Sequence, residues 1–100
     1  MIVYLTNEAE RDLESIADYI AKDNPRRAIT FVRELRSTCL NLPSMPEAFP
    51  LVPRYEKYGV RRRIYRNYLI FYRLESDHII VLHVLHGAMD YASVLFRDAD

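Results

Sequence analysis

The fold is decided by residues 60–86, which read VRRRIYRNYLIFYRLESDHIIVLHVLH. Three β-favouring runs occupy this stretch, at Val60 to Tyr65, Tyr68 to Leu74 and Ile79 to His86. Only Arg66-Asn67 separates the first two runs and residues 75–78 separate the last two, and such spacings favour β-hairpins. The middle run is apolar on both faces, which is typical of a central strand covered on one side and partly on the other. The stretch therefore predicts an antiparallel meander of three strands.

The residues before the meander predict a strand followed by two helices. Ile2 to Leu5 is a short β-favouring run, and the hydroxyl of Thr6 can cap the helix that follows. Asn24 and Pro25 are suited to the N-cap and first residue of a second helix, since proline has no amide hydrogen to lose there. Apolar residues recur with the helical period at positions 9, 13, 16, 17 and 20 and at positions 28, 31, 32, 35, 39 and 42. The short turn between the two segments predicts an antiparallel helical hairpin.

The remaining segments complete the predicted order. Residues 43–58 combine four prolines with several large apolar side chains, so we expect an extended segment that packs down without a regular element. Gly87 ends the last strand, and Asp90 is a suitable cap for a short closing helix. The order is β-α-α-β-β-β-α, an α+β fold in which a helical hairpin packs on one face of a small, mostly antiparallel four-stranded sheet. The position of the first strand in this sheet stays open.

Length and composition limit the classes of function. One hundred residues, half of them hydrophobic, suffice for one core, so we expect a single domain over residues 1–100. Fourteen basic and fourteen acidic residues cancel, which argues against a general polyanion binder, although residues 25–75 are basic. A lone Cys39 excludes an internal disulfide and gives no support to a metal site, so we expect no cofactor and a reducing cytoplasm. Neither a secretory leader nor a membrane-spanning stretch is evident, so no membrane partner is expected.

Three consecutive arginines in the first strand of the meander are candidates for binding or catalysis. The two-residue period of a strand places Arg61 and Arg63 on one face and Arg62 on the other. If the face of Arg62 meets the helices, Arg61 and Arg63 point to the far side of the sheet. There Arg73 of the neighbouring strand can join them in a cationic patch. The alternative is that these arginines are solvated or pair with acidic residues of the first helix.

A histidine could complete a catalytic group with these arginines. A ribonuclease needs a general base, a general acid and cations that converge on the scissile phosphate. His83 with Arg61, Arg63 and Arg73 is the candidate cluster, although a half-buried strand histidine is more often structural. His83 and His86 are three residues apart on a strand, which predicts that they lie on opposite faces and do not form a simple pair.

Two apolar side chains lie outside the helical stripes. Tyr19 belongs to the first helix and Ile29 to the second, and the sheet need not cover either of them. Apolar surface of this kind can receive a helix of a partner protein. Ordinary scatter of exposed apolar residues explains the two positions equally well.

Several local strings resemble the ParE branch of the RelE/ParE toxin superfamily, the plasmid stabilisation family. They follow in the same order along nearly the whole chain. The helical strings are Leu5-Thr6 with Ala9, Asp12-Leu13, Ile16 and Tyr19-Ile20, and then Asn24-Pro25 with Ala28 and Phe31. The strings of the meander are Asn67-Tyr68-Leu69-Ile70-Phe71-Tyr72-Arg73 and Val84-Leu85-His86-Gly87-Ala88-Met89-Asp90, and these two are the most specific.

The resemblance implies a toxin of a bacterial toxin–antitoxin pair, neutralised by an antitoxin of ParD type. ParE relatives poison DNA gyrase, whereas RelE relatives cleave mRNA on the ribosome. RelE-like nucleases carry arginines at two positions that correspond here to Leu69 and Met89, and neither side chain can stabilise a phosphorane or move a proton. The resemblance therefore favours a gyrase inhibitor that acts by binding and not as an enzyme. The alternative is a ribosome-dependent endoribonuclease that uses the cluster around His83.

The resemblance also implies where the partners bind. The target surface is expected on the last strand and the closing helix, at His83, His86, Met89, Tyr91 and Phe96, together with the arginines of the meander. The antitoxin is expected to dock a helix over the hairpin near Tyr19 and Ile29, with a further strand added to a sheet edge, and to supply any sequence-specific DNA binding. Many family members have arginine where Met89 stands, so a third hypothesis is a toxin-derived module that binds its antitoxin without being toxic.

Overall fold

The computed structural model, which describes residues 1–97, follows the predicted order of elements. The strands and α-helices are β1 (Ile2–Leu5), α1 (Asn7–Ala21), α2 (Pro25–Leu40), β2 (Val60–Tyr65), β3 (Tyr68–Leu74), β4 (His78–His86) and α3 (Tyr91–Leu95). The predicted α+β class is confirmed, and β4 begins one residue before its predicted start. Of the expected domain over residues 1–100, residues 98–100 lie outside the described residues.

Both long helices begin where their capping residues predict. The Thr6 hydroxyl oxygen accepts a hydrogen bond from the Ala9 amide at 3.0 Å, and the Asn24 side chain accepts one from the Arg27 amide at 3.1 Å. Pro25 is the first residue of α2. These contacts satisfy amide groups that a helix start otherwise leaves without a partner.

The sheet has the strand order β1-β4-β3-β2. β2, β3 and β4 form the predicted antiparallel meander. β1 pairs parallel with β4, from Ile2 opposite His78 to Leu5 opposite Val81, which answers the open question of its position. No helix in the described part of the chain is both long and apolar enough to span a bilayer.

The two faces of the sheet are covered by different parts of the chain. On the inner face, α1 and α2 pack against the sheet through a cluster of buried residues: Ala9, Leu13, Ile16, Phe31, Leu35, Cys39, Leu42, Ile70, Tyr72, Ile79, Val81 and Val84. On the outer face, residues 52–58 and α3 close a smaller cluster: Val52, Val60, Leu69, Phe71, Leu85 and Phe96. β3 is therefore buried on both faces, as its continuous apolar sequence predicted.

The proline-rich segment packs down as expected, but it contains two short 3₁₀ turns, at Leu42–Ser44 and Glu56–Tyr58, that were not expected. Arg61 holds the segment through a 2.7 Å hydrogen bond to the Phe49 carbonyl, and the Tyr72 hydroxyl donates to the Pro46 carbonyl at 2.7 Å. The second turn ends at Gly59, whose φ of 71° is in the left-handed region that glycine adopts without strain.

Candidate partner-binding site

An open groove lies between α1 and the last residues of β4. Its volume is about 520 Å³, and it is lined by Asp12, Ser15, Ile16, Tyr19, Tyr68, Val84, Leu85, His86 and Met89; we call it the α1–β4 groove. Buried apolar side chains of both elements line it, while Tyr19 is 69% exposed and Met89 is 48% exposed. An apolar lining edged by a few polar groups is typical of a surface that takes up side chains of a partner.

Asp12 connects the two walls of the α1–β4 groove. Its Oδ2 atom lies 2.7 Å from His83 Nδ1 and accepts a hydrogen bond from the Val84 amide at 2.9 Å. Because an ionised carboxylate only accepts hydrogen bonds, the proton of this contact is on Nδ1 of the imidazole. Both side chains are less than one-fifth exposed. No pattern in the sequence indicated this contact, since 71 positions separate Asp12 from His83.

The two histidines of β4 have separate partners and do not form a pair. The rings of His86 and Tyr68 pack in a T-shaped arrangement, with 5.4 Å between ring centroids, and His86 Nδ1 accepts a hydrogen bond from the Ala88 amide. His83 lies beside a β-bulge, because the register with β3 shifts between Phe71 and Tyr72 and leaves Leu82 without an opposite residue. Of the two, His86 lines the α1–β4 groove, whereas His83 contacts Asp12 and does not line the groove.

The other residues expected on the target surface lie elsewhere. The Tyr91 hydroxyl accepts a hydrogen bond from Arg62 at 3.0 Å, and its ring packs against Phe71 on the outer face. Phe96 is only 9% exposed and stacks on Tyr55, with 4.1 Å between centroids and nearly parallel rings. His86 and Met89 thus share a groove, whereas Tyr91 and Phe96 belong to the packing of the outer face.

The two residues expected to bind an antitoxin are both exposed. Tyr19 lies in the last part of α1 and Ile29 in the first part of α2, on either side of the turn that joins the helices. Their exposed fractions are 69% and 62%. Tyr19 lines the α1–β4 groove beside His86 and Met89, so residues assigned to two different partners occupy the same groove.

The expected patch of Arg61, Arg63 and Arg73 is not formed. Arg61 is opposite Tyr72 and Arg63 is opposite Ile70, so both belong to the inner face beside the helices, while Arg73 belongs to the outer face. The expectation failed because the alternation along β2 fixes which residues share a face but not which face the helices cover.

Each member of the candidate catalytic cluster has a partner of its own. Arg63 donates to the Thr38 carbonyl at 3.1 Å and lies over the ring of Phe49. Arg73 pairs with Glu75 at 3.2 Å. Arg61 holds the proline-rich segment, and His83 contacts Asp12. The four side chains therefore do not converge on one point, as acid–base catalysis on a phosphate requires.

Neither a reactive thiol nor a cluster of metal-binding side chains is found among residues 1–97. Burial raises the pKa of the Cys39 thiol to about 12, so the residue is an unreactive part of the inner core. Within residues 1–97, no three His, Cys, Asp or Glu side chains come together to hold a metal ion. The α1–β4 groove, with its open and largely apolar lining, is suited to binding a partner.

The sequence of residues 3–91 matches the family model described as the ParE toxin of the type II toxin–antitoxin system, parDE. The chain belongs to the ParE toxin family. It is thus a toxin of a type II toxin–antitoxin system, as the sequence resemblance implied. No curated protein matches this ParE toxin significantly in sequence.

Two solved structures share the fold of this ParE toxin. The chromosomal ParDE toxin–antitoxin system from P. aeruginosa has 22% sequence identity and a TM-score of 0.72, and the alignment covers 86% of this chain and 95% of that chain. The RelBE2 toxin–antitoxin complex from Mycobacterium tuberculosis has 23% identity and a TM-score of 0.62, with 88% and 92% covered. At these identities the likeness concerns the fold.

Proposed function

We propose that this ParE toxin acts in the cytoplasm as a single domain over residues 1–100, inhibits DNA gyrase by binding to it, and is neutralised by a ParD-type antitoxin. The observation that supports binding over catalysis is the exposed apolar groove at Tyr19, His86 and Met89. Aromatic and methionine side chains are enriched in protein interfaces, and a few such residues carry most of the binding energy.

The positions of the matching RelE arginines support the same choice. Leu69 is buried in the outer cluster, where a phosphate group of an RNA substrate does not reach it. Met89 is exposed at the groove but has no charge and no exchangeable proton. These side chains favour apolar contact with a protein surface over contact with a phosphate. Because the chain belongs to the ParE toxin family, gyrase is the expected target.

The gyrase proposal is tested with purified gyrase and relaxed plasmid. We expect the toxin to block supercoiling at micromolar concentration, and His86→Ala and Met89→Ala to weaken this block by about tenfold each, as for central interface residues. Ile64→Ala is the matched control, since Ile64 is 65% exposed on β2 and does not line the groove. Unchanged supercoiling at micromolar excess of the wild-type toxin would contradict the proposal.

The antitoxin proposal predicts that the two partners exclude each other. Tyr19 is assigned to the antitoxin and His86 to gyrase, and both line the α1–β4 groove. A ParD-type antitoxin should therefore restore supercoiling, and Tyr19→Ala and Ile29→Ala should each weaken its binding by about tenfold in calorimetry. Leu40→Ala, with 54% exposure at the other end of α2, is the control. A ternary complex of toxin, antitoxin and gyrase would contradict the shared groove.

The endoribonuclease remains the second candidate because His83 is oriented by Asp12 through a 2.7 Å contact. A base held by a second group is a common part of an acid–base site. Primer extension on translated mRNA tests this function, and we expect no cleavage. Cleavage that disappears in His83→Ala would replace the gyrase proposal.

The third candidate is a binding module without toxicity, and Met89 is the residue that suggests it. Induced expression in the absence of antitoxin decides this point. We expect growth arrest, and normal growth with undiminished antitoxin binding would favour the third candidate.

A further inference from the structure

The last residues of β4 extend beyond their neighbour in the sheet. β1 pairs with β4 only as far as Val81, so residues 82–86 have no strand beside them on that edge in the described part of the chain. The β-bulge at Leu82 also interrupts the regular ladder with β3 at this point. A strand end with one irregular neighbour and one open edge is poorly fixed by the sheet alone.

α1 and its N-cap residue Thr6 supply hydrogen bonds to the end of β4 that β1 does not reach. The Thr6 hydroxyl donates to the Leu82 carbonyl at 2.8 Å, where β1 has just ended. One helical turn and a half later, a single oxygen of Asp12 accepts both the Val84 amide and His83 Nδ1. The Val84 amide would otherwise face an open sheet edge, and it is instead hydrogen-bonded to the partly buried carboxylate of Asp12.

The position of this contact gives it a functional meaning. Val84 is two residues before His86 and five before Met89, and all three line the α1–β4 groove together with Asp12. The hydrogen bonds of Asp12 therefore join the two walls of the groove directly, beside the residues that line it. A change in the distance between these walls alters how the groove fits a partner, even when the side chains that touch the partner are unchanged.

We propose that Asp12 is a positioning residue, which holds the target-binding end of β4 against α1 and so sets the width of the α1–β4 groove. The inference rests on the proposed function, because it takes His86 and Met89 as contacts of the target. Asp12 acts through Val84 and His83 and does not need to touch the target itself.

The chemistry of the contact provides a discriminating set of variants. Asp12→Asn keeps an oxygen at the same place, so it can still accept the Val84 amide, although it loses the charge. Asp12→Glu keeps the charge but moves the carboxylate outward by one methylene. Asp12→Ala removes the acceptor. A positioning role predicts that Asn is tolerated better than Glu, whereas a role in attracting the target by charge predicts the reverse.

Two measurements test the proposal on the full chain. Amide hydrogen exchange by NMR reports the local geometry, and we expect the Val84 amide to exchange about tenfold faster or more in Asp12→Ala, with little change in Asp12→Asn. Toxicity is read as growth arrest at matched expression and as gyrase inhibition. We expect potency to fall in the order wild type, Asn, Glu, Ala, with about a tenfold loss for Ala.

Glu10→Ala is the matched control on the same helix. Glu10 also accepts two hydrogen bonds, both from Arg36, but it connects α1 to α2 and not to β4. We expect this variant to keep wild-type potency. Equal losses in Glu10→Ala and Asp12→Ala would overturn the proposal, as would full potency in an Asp12→Ala protein whose Val84 amide has lost its protection.

Growth arrest and gyrase inhibition, measured side by side, separate the role of Asp12 from the identity of the target. Growth arrest without gyrase inhibition would contradict only the target, and the order of the variants in growth arrest would still test Asp12. If Asp12→Ala does not fold, the order of Asn and Glu decides, and a wild-type-like Glu variant with an inactive Asn variant overturns the positioning role. A wild-type chain that is harmless in both assays overturns both proposals.

Discussion

The two faces of the sheet are covered in different ways. Two regular helices cover the inner face, and their apolar stripes bury a continuous cluster that includes Leu35 and Tyr72. The outer face is closed by an irregular segment and the five-residue α3, which meet through the stacked rings of Tyr55 and Phe96. The inner layer buries the larger apolar cluster, so we expect it to stabilise the whole molecule, and we expect the smaller outer layer to open locally without it.

Truncation in the inner layer should have the largest effect. Leu35 is fully buried between α2 and the sheet, so Leu35→Ala should lower the free energy of unfolding by about 3 kcal/mol, through lost burial and the cavity left behind. Urea denaturation followed by circular dichroism measures this. A loss below about 1 kcal/mol would show that the inner layer repacks and is not the main source of stability.

Truncation in the outer layer should cost less, although it removes a larger side chain. Phe96→Ala abolishes the stack on Tyr55, and we expect a loss of about 1.5 kcal/mol in global stability because α3 can detach locally. The same variant should increase amide exchange in α3 without affecting α1. A loss in the free energy of unfolding equal to that of Leu35→Ala would contradict the expectation that the outer layer opens without the inner layer.

Acid should weaken the inner layer selectively. Arg36 holds the pKa of Glu10 below its ordinary value of 4.5 by a hydrogen bond and by its charge, and this pair joins α1 to α2. Since the folded-state pKa is the lower one, the stabilisation is complete above pH 4.5 and is lost as the pH falls through the folded-state pKa. Melting temperatures measured from about pH 3 to 7 should therefore fall less steeply in Glu10→Gln. Tyr91→Phe, which removes the hydrogen bond between Tyr91 and Arg62 in the outer layer but no carboxyl group, should leave the slope unchanged.

The smallest effect is expected from thiol reagents. Cys39 is fully buried in the inner layer, and burial raises its pKa to about 12, so the native protein should not react with a disulfide reagent near neutral pH. In denaturant the single cysteine should react completely. Rapid reaction of the native protein would show that the inner layer opens more readily than the outer layer.

The parts of the fold that depend on local chemistry could be predicted from the sequence. Thr6 and Asn24 cap α1 and α2 as expected, because a cap depends only on residues within one helical turn. The hairpin of β2 and β3 turns at Arg66-Asn67 as its two-residue spacing indicated, with Arg66 at a φ of 55°.

The parts that depend on contacts between distant segments could not be predicted. The alternation along β2 predicted that Arg61 and Arg63 share a face, but it did not show which face the helices cover. In the structure the helices cover the face of Arg61 and Arg63. The bulge at Leu82 has no sequence signature of its own. Asp12 lies in one of the strings that carry the family resemblance. Its contact with Val84 nevertheless depends on the tertiary structure, because β1 ends beside Val81 and leaves the Val84 amide open to Asp12.

The parallel pairing of β1 with β4 has a consequence for protein synthesis. Within residues 1–97, β4 is the only strand beside β1, and His78 lies opposite Ile2 although it follows it by 76 positions. A nascent chain therefore leaves β1 without its neighbouring strand, and α1 without its contacts to β4, until β4 has been synthesised. Copies that terminate before β4 lack one wall of the α1–β4 groove, so we expect partner binding to require synthesis at least as far as Met89.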